Sequence, residues 1–339
     1  MTSRERVATA LSGREPDRVP FCEIGVDQEI AEQVLGREFP RMPDLETNPR
    51  GLQDEIELAE RLRKDNICYV LRAPVYTRRA RAGGGSPFYT EGLIRSEADL
   101  DIIDLPDPQD DRLYEPLAEW AANKGDLSLW MITRQGLFPA MLSMGMERFC
   151  IALYERRGFV ETVLDIYCDW AAEVMRRACE LDIDVICSTD DLAGKSGPLI
   201  SPELFHELVT PRFQAIAEGV SRPWVLHSDG NVVPLLDDLL PLGIDGLHPN
   251  EKGAMDIRWM KREHGDRLCL LGNLDLNLLM LGSPEEVEAE VRGLIRDVAP
   301  GGGYILTSGN SLAHYCTLEN IMTMSEAGRR YGTYPIELM

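Results

Sequence analysis

Short, β-branched apolar runs alternate along the chain with longer stretches whose apolar residues recur every three or four positions. The short runs fall at 18–22, 67–71, 128–133, 184–188, 223–226, 245–247, 267–271 and 303–306, and each predicts a strand. The longer stretches, among them 158–181, 201–219 and 283–298, predict helices. Two of them open on cap signals. Ser201-Pro202-Glu203 and Ser283-Pro284-Glu285-Glu286 place Ser at the N-cap, Pro in the first turn and acids beside it. Strand–helix alternation implies parallel pairing, and eight such units imply closure. The expected fold class is α/β, a (β/α)8 TIM barrel forming a single domain over 1–339.

An open doubly wound sheet is the main rival. It would carry a Gly-rich turn after its first strand, where this chain has Cys22-Glu23-Ile24-Gly25-Val26. Two stretches interrupt the alternation. Residues 1–17 predict an amphipathic helical extension ahead of strand one. Residues 73–110 predict a hairpin-like insertion after strand two, holding Arg78-Arg79-Ala80-Arg81 and Gly83-Gly84-Gly85. No Lys-Ser/Thr follows the triple glycine, so it predicts a turn rather than a phosphate cradle.

Composition narrows the classes. A chain of 339 residues, 44% apolar and 27% charged, has an ordinary globular balance. No apolar run reaches the roughly 18 residues of a membrane span, and the N-terminus, which contains acidic residues, lacks the apolar core of a signal peptide. The eight cysteines form no CxxC pair, which predicts reduced core thiols in a cytoplasmic protein. A formal net charge of -22 repels nucleic acid and anionic membranes.

In such a barrel the residues just past each strand line one pocket. Here they include Glu23, Arg72, Arg134-Gln135, Asp190-Asp191, His227-Ser228-Asp229, His248-Pro249-Asn250, Asn273 and Asn310. Singly, a strand-end Asp commonly caps a helix and a lone His is commonly a satisfied core residue. As a set they are harder to dismiss, because so many charges cannot be buried without partners. A scaffold without chemistry would have no use for them. His227 and Asp229 stand two apart, so their side chains share a face. Such a pair can bind a divalent metal or couple an imidazole to a carboxylate for proton transfer. A third ligand would come from Asp191, Glu23, His248 or Asn310.

Several segments together resemble the uroporphyrinogen decarboxylase superfamily, and within it the corrinoid-dependent methyltransferases. They are Arg4-Glu5-Arg6-Val7 with Glu15-Pro16-Asp17-Arg18-Val19-Pro20, Asp190-Asp191 with Gly197-Pro198-Leu199, His227-Ser228-Asp229-Gly230-Asn231, Gly243-Ile244-Asp245-Gly246-Leu247-His248-Pro249, and Gly272-Asn273-Leu274-Asp275. The resemblance implies a (β/α)8 barrel. The decarboxylase branch carries an Arg-rich stretch after strand one and an Asp after strand two, and this chain has Cys22-Glu23-Ile24-Gly25 and Arg72-Ala73-Pro74 there. The thiol-methylating branch binds zinc through His-x-Cys and a later Gly-Cys step. Those places here read His227-x-Asp229 and Gly309-Asn310, with Cys316 six residues beyond.

The resemblance therefore implies transfer of a methyl group from a methylated donor, an aryl methyl ether, to cob(I)alamin on a separate corrinoid protein. In that scheme His227, Asp229, Asp191 and Asn310 are catalytic. Glu23, Arg72, Arg134, His248, Asn250 and Asn273 bind substrate, and His227 with Asp229 holds any metal, zinc included. The alternatives are a decarboxylase-like lyase and a zinc-dependent methylcobamide:thiol methyltransferase. No D-x-H-x-x-G stretch occurs, so the cobalamin is expected to arrive on a partner that docks over the barrel mouth.

Overall fold

The computed structural model describes residues 1–41, 44–80 and 88–336. Arg81 and Gly83-Gly84-Gly85, expected in the insertion, lie outside them. The strands are β1 (Asn66–Val70), β2 (Thr77–Ala80), β3 (Phe88–Gly92), β4 (Ser128–Thr133), β5 (Val185–Thr189), β6 (Ala193–Gly194), β7 (Gly197–Pro198), β8 (Trp224–His227), β9 (Gly246–His248), β10 (Cys269–Leu274) and β11 (Tyr304–Ser308). Seven of them form one sheet in the order β1-β4-β5-β8-β9-β10-β11. Every pairing in it is parallel, as the alternation of strands and helices implied. Two antiparallel ribbons, β2 with β3 and β6 with β7, stand outside the sheet.

The strand expected at 18–22 is a correction. Only isolated bridges form there, Arg18 to Thr333 and Phe21 to Leu306. Pro20 has no N–H to give a ladder, and on the β1 side a side chain stands in for backbone. Leu306 N donates to Pro20 O at 2.9 Å and Cys22 N to Leu306 O at 3.1 Å. On the other flank Asp65 N donates to Phe21 O at 2.7 Å, and Glu23 N donates to Asn66 Oδ1 at 3.0 Å. The segment thus touches both edges of the sheet without being a regular strand of it.

Apolar residues at alternate strand positions build two cores. Trp130, Ile132, Val185, Cys187, Val225, Leu271 and Ile305 gather on one face with Val7, Ala10 and Leu11 of the first helix, Ser3–Leu11. Leu129, Met131, Ile186, Leu226, Leu270 and Leu306 pack on the other face against the helices. Burial of both faces is what a parallel sheet requires. The first helix is held by a capping box between Thr2 and Glu5.

The helices Arg157–Ala178 and Pro284–Val298 fall where the periodicity placed them, the second with Ser283 and Glu286 as a capping box. The stretch 201–219 is helical from Pro202 to Ala217, with a π-bulge at Phe205–Val209 between α-helical Pro202–Leu204 and Thr210–Ala217. Pro211 explains the bulge, since its ring clashes with the carbonyl four residues back and widens the hydrogen-bond ladder. Among the described residues no helix is long and apolar enough to cross a membrane.

Candidate functional site

Five of the strands, β5 and β8 to β11, run one to three residues further than their apolar runs, and most of the added residues are polar. Period-two alternation carries the inner face onward: Val225 leads to His227 and Asp229, Cys187 to Thr189 and Asp191, Val70 to Arg72, Ile132 to Arg134, and Leu271 to Asn273. The chemistry is a continuation of the core stripe in a different alphabet.

Asp191, His227 and Asp229 meet, with one ligand atom from each lying within 4.8 Å of the others. His227 Nε2 stands 3.7 Å from Asp191 Oδ1 and 3.9 Å from Asp229 Oδ1. Those gaps are too long for hydrogen bonds, yet short enough for three donors to share one cation. Asn310 Nδ2 donates to Asp229 Oδ2 at 2.7 Å. The other oxygen, Asp229 Oδ1, is buried without a partner. Burial, with Asp191 and Glu251 nearby, pushes the Asp229 carboxyl up to about 7. Burial pushes His227 below its ordinary value against the pull of Asp191.

The loops that carry these groups are interlocked. Leu192 N donates to Ser228 Oγ at 2.9 Å, Asp229 N to Asp191 Oδ1 at 3.2 Å, and Asn231 N to Gly194 O at 2.9 Å. Glu251, which sequence reasoning did not single out, takes Gly230 N at 2.8 Å and reaches Lys195 at 3.5 Å. It directly follows Asn250, so reading one residue past that strand end would have found it.

Two cavities meet at the cluster. One of about 270 Å³ is lined by Glu23, Arg72, Thr189, His227 and Asn310, with Ile24, Val26, Val70 and Ile132 as apolar wall. The other, about 340 Å³, is bordered by Asp229, Asn310, Glu251, Lys195 and Tyr315. Arg72 gives hydrogen bonds to Leu45 O (3.0 Å) and Thr189 Oγ1 (2.8 Å), while its Nε is buried and unpartnered. Burial, with Arg134 close by, lowers it to about 10, so it is still a cation at neutral pH.

Arg134 has a different fate. It is 4% exposed, pairs with Glu46 at 3.1 Å and stacks over Tyr89 and Phe138 at 5.8 Å. Its charge is therefore already neutralised. Glu23 is wholly buried, its two oxygens accepting Ser308 N and Ser308 Oγ at 2.7 Å, and burial pushes it up to about 8.

Three further predicted residues support the wall. Asn250 donates to Leu247 O and Leu271 O, and Asn273 donates to Asn250 O. His248 is wholly buried with Nδ1 at 2.7 Å from His227 Nδ1.

Thiolates are not part of the cluster. Cys68 lines the first cavity, but burial pushes its thiol up to about 12. Cys316 is buried outside the cluster and pushed up to about 11. All eight cysteines are free.

Comparison with known proteins agrees with the fold and with the resemblance. The family model described as uroporphyrinogen decarboxylase (URO-D) matches residues 80–331. The methylcobamide:CoM methyltransferase MtaA of Methanosarcina barkeri is 25% identical over 326 residues, 95% of this chain and 81% of that protein. The uroporphyrinogen decarboxylase of Coxiella burnetii is 22% identical over 227 residues, 64% of this chain and 58% of that protein. A solved methyltransferase from Methanosarcina mazei superposes with a TM-score of 0.76 at 22% identity, covering 98% of this chain and 99% of its own.

Proposed function

The chain belongs to the uroporphyrinogen decarboxylase (URO-D) family, and from that premise we propose that it is a corrinoid-dependent methyltransferase. It takes a methyl group from a small methylated donor, an aryl methyl ether, and passes it to cob(I)alamin on a separate corrinoid protein. We read 1–339 as one cytoplasmic (β/α)8 barrel domain whose wall is completed by segment 20–23. The observation that carries the proposal is the thiol-free Asp191–His227–Asp229 cluster, set between two cavities, the first of which is also lined by the cationic Arg72.

The Co(I) electron pair attacks the methyl carbon. A cobalt–carbon bond forms as the carbon–oxygen bond breaks, and the bonding pair leaves on oxygen as a phenoxide that takes a proton. With no cation bound, Asp229, pushed up to about 7, is in part a carboxylic acid at neutral pH and supplies that proton; with a cation bound it is a ligand and the cation would take over the leaving oxygen. Asn310 fixes one of its oxygens and leaves the unpartnered one to act. Arg72, cationic with a free Nε, binds a carboxylate on the donor, and Ile24, Val26, Val70 and Ile132 enclose the ring. The cluster's nitrogen and oxygen donors suit an oxygen-preferring or borderline divalent cation, zinc included, which when bound would act on the leaving oxygen as a Lewis acid.

The test combines reduced corrinoid protein with methoxybenzoates and neutral methoxyarenes, following conversion of Co(I) to methyl-Co(III) in the visible spectrum. Wild type is expected to prefer carboxylated donors, and Arg72→Met to lose that preference through KM. His227→Ala and Asp229→Ala are each expected to lower the rate at least about 100-fold, with Tm moving by no more than a few degrees. Similarity to the M. barkeri enzyme favours a second reading, methyl transfer from a methylcobamide to a thiol. Methylation of a thiol with no ether demethylated would decide for it.

A further inference from the structure

His248 stands among the strand-end residues, yet it lines neither cavity. It is a register partner of His227 on the neighbouring parallel strand, β9 against β8. The ladder continues past the pair, with Ser228 N donating to His248 O at 3.0 Å. The two rings are 4.9 Å apart, tilted by 32°, and their Nδ1 atoms approach to 2.7 Å. Backbone pairing, not a loop, brings these imidazoles together.

An N···N contact of 2.7 Å needs one hydrogen between the atoms. Either ring could supply it. His227 Nε2 is the atom turned to Asp191 and Asp229, too far from both to hydrogen-bond. To serve as a ligand there it must keep its lone pair, which puts the ring proton of neutral His227 on Nδ1. His248 Nδ1 must then accept, and His248 carries its own proton on Nε2. That atom is buried with no hydrogen-bond partner, so nothing beyond His248 imposes the opposite arrangement.

We propose that His248 is a positioning residue: its Nδ1 accepts from His227 and so holds Nε2 of His227 bare for a divalent cation shared with Asp191 and Asp229. The more usual partner for a ligating imidazole is a carboxylate or a backbone carbonyl. A carboxylate here would add a third negative charge beside Asp191 and Asp229. A neutral imidazole fixes the tautomer without it. The inference rests on reading the cluster as a cation site.

The full-length protein, stripped with chelator, is titrated with Co(II) alone while its d–d absorbance is followed. Wild type is expected to bind one equivalent. His248→Asn keeps a carbonyl oxygen near the place of Nδ1 and is expected to bind within about threefold of wild type. His248→Leu keeps bulk but cannot accept, and is expected to bind about 10- to 100-fold more weakly. In the zinc-loaded wild type labelled with ¹⁵N-histidine, long-range ¹H–¹⁵N correlation is expected to find His227 protonated on Nδ1 and His248 on Nε2. That measurement needs no variant to fold. Unchanged cobalt affinity in His248→Leu, or a proton on Nε2 of zinc-loaded His227, overturns the assignment while leaving the cation site standing. Wild type that binds no cation removes the cation site itself, and this role of His248 with it.

Discussion

Two arginines with the same alternation show what a single residue's surroundings decide. Arg72 and Arg134 both continue the inner stripe, and the sequence marks both as substrate-binding. Glu46, 88 residues before Arg134 in the chain, pairs with one and leaves the other beside the cavity. No local pattern announces such a partner. Glu23 is a second case. Its position after the first apolar run is legible, but its protonation comes from complete burial against Ser308. Its folded pKa, raised from the usual 4.5 to about 8, lies above its unfolded one. The folded chain therefore holds an extra proton across that window, and the stability this group contributes is lost as pH rises through it. Wild type should lose a few kcal/mol between about pH 5 and 9 from this residue. Glu23→Gln, which can still donate to Ser308 Oγ and accept from its N–H, should lack that part of the slope. Urea unfolding at the two pH values measures the difference, and equal slopes would refute a protonated Glu23.

At the scale of elements, the site depends on two loops locked by backbone contacts. Gly230 sits at φ +79, where an added Cβ would come within 2.5 Å of Ala193 O and Gly194 O. Glycine is required there by conformation and by space together. Gly230→Ala should cost at least about 2 kcal/mol and should also weaken cation binding, because Asp229 moves with its neighbour. Urea unfolding and a cobalt titration check both parts, and a variant as stable as wild type would mean the loops are not locked. The same scale explains where strand ends were misjudged. An apolar run ends where the environment turns polar, whereas a ladder ends where backbone pairing stops. At β8 and β9 the ladder reaches His227 and His248, past the last apolar residue.

At the scale of the molecule, the segment 20–23 and the N-terminal extension are tied to the sheet through one buried carboxylate. Asp65, its side chain 1% exposed, accepts from Ser3 Oγ (2.8 Å), Arg6 Nη1 (2.7 Å), both terminal nitrogens of Arg18 (2.8 Å) and Phe21 N (2.9 Å). Removing it would leave buried Arg6 and half-buried Arg18 facing the place of a lost charge, although Asp17 still holds Arg6. Breaking a buried pair from one side costs about 3–5 kcal/mol. Asp65→Ala should lose stability on that order in urea unfolding. Folded protein below the transition should bind cobalt normally, because the hub lies at the opposite end of the strands from the cluster. A cobalt affinity that falls along with stability would contradict that separation.

The alternation of apolar runs determined the α/β class, the parallel pairing and most of the strands, because each strand and helix must bury one face or both and so must write that need into local order. It also pointed to His227 and Asp229, since a strand carries its inner face on past the end of the core. Which polar residues would meet was settled only by tertiary structure. Asp191 joins the cluster, Glu46 withdraws Arg134 from the cavity, Cys316 lies apart from the ligands, and His248 turns to His227 rather than to the cavity. Each of these depends on contacts between residues far apart in the chain, where charge pairing, burial and strand register act across elements and leave no periodic trace in the sequence.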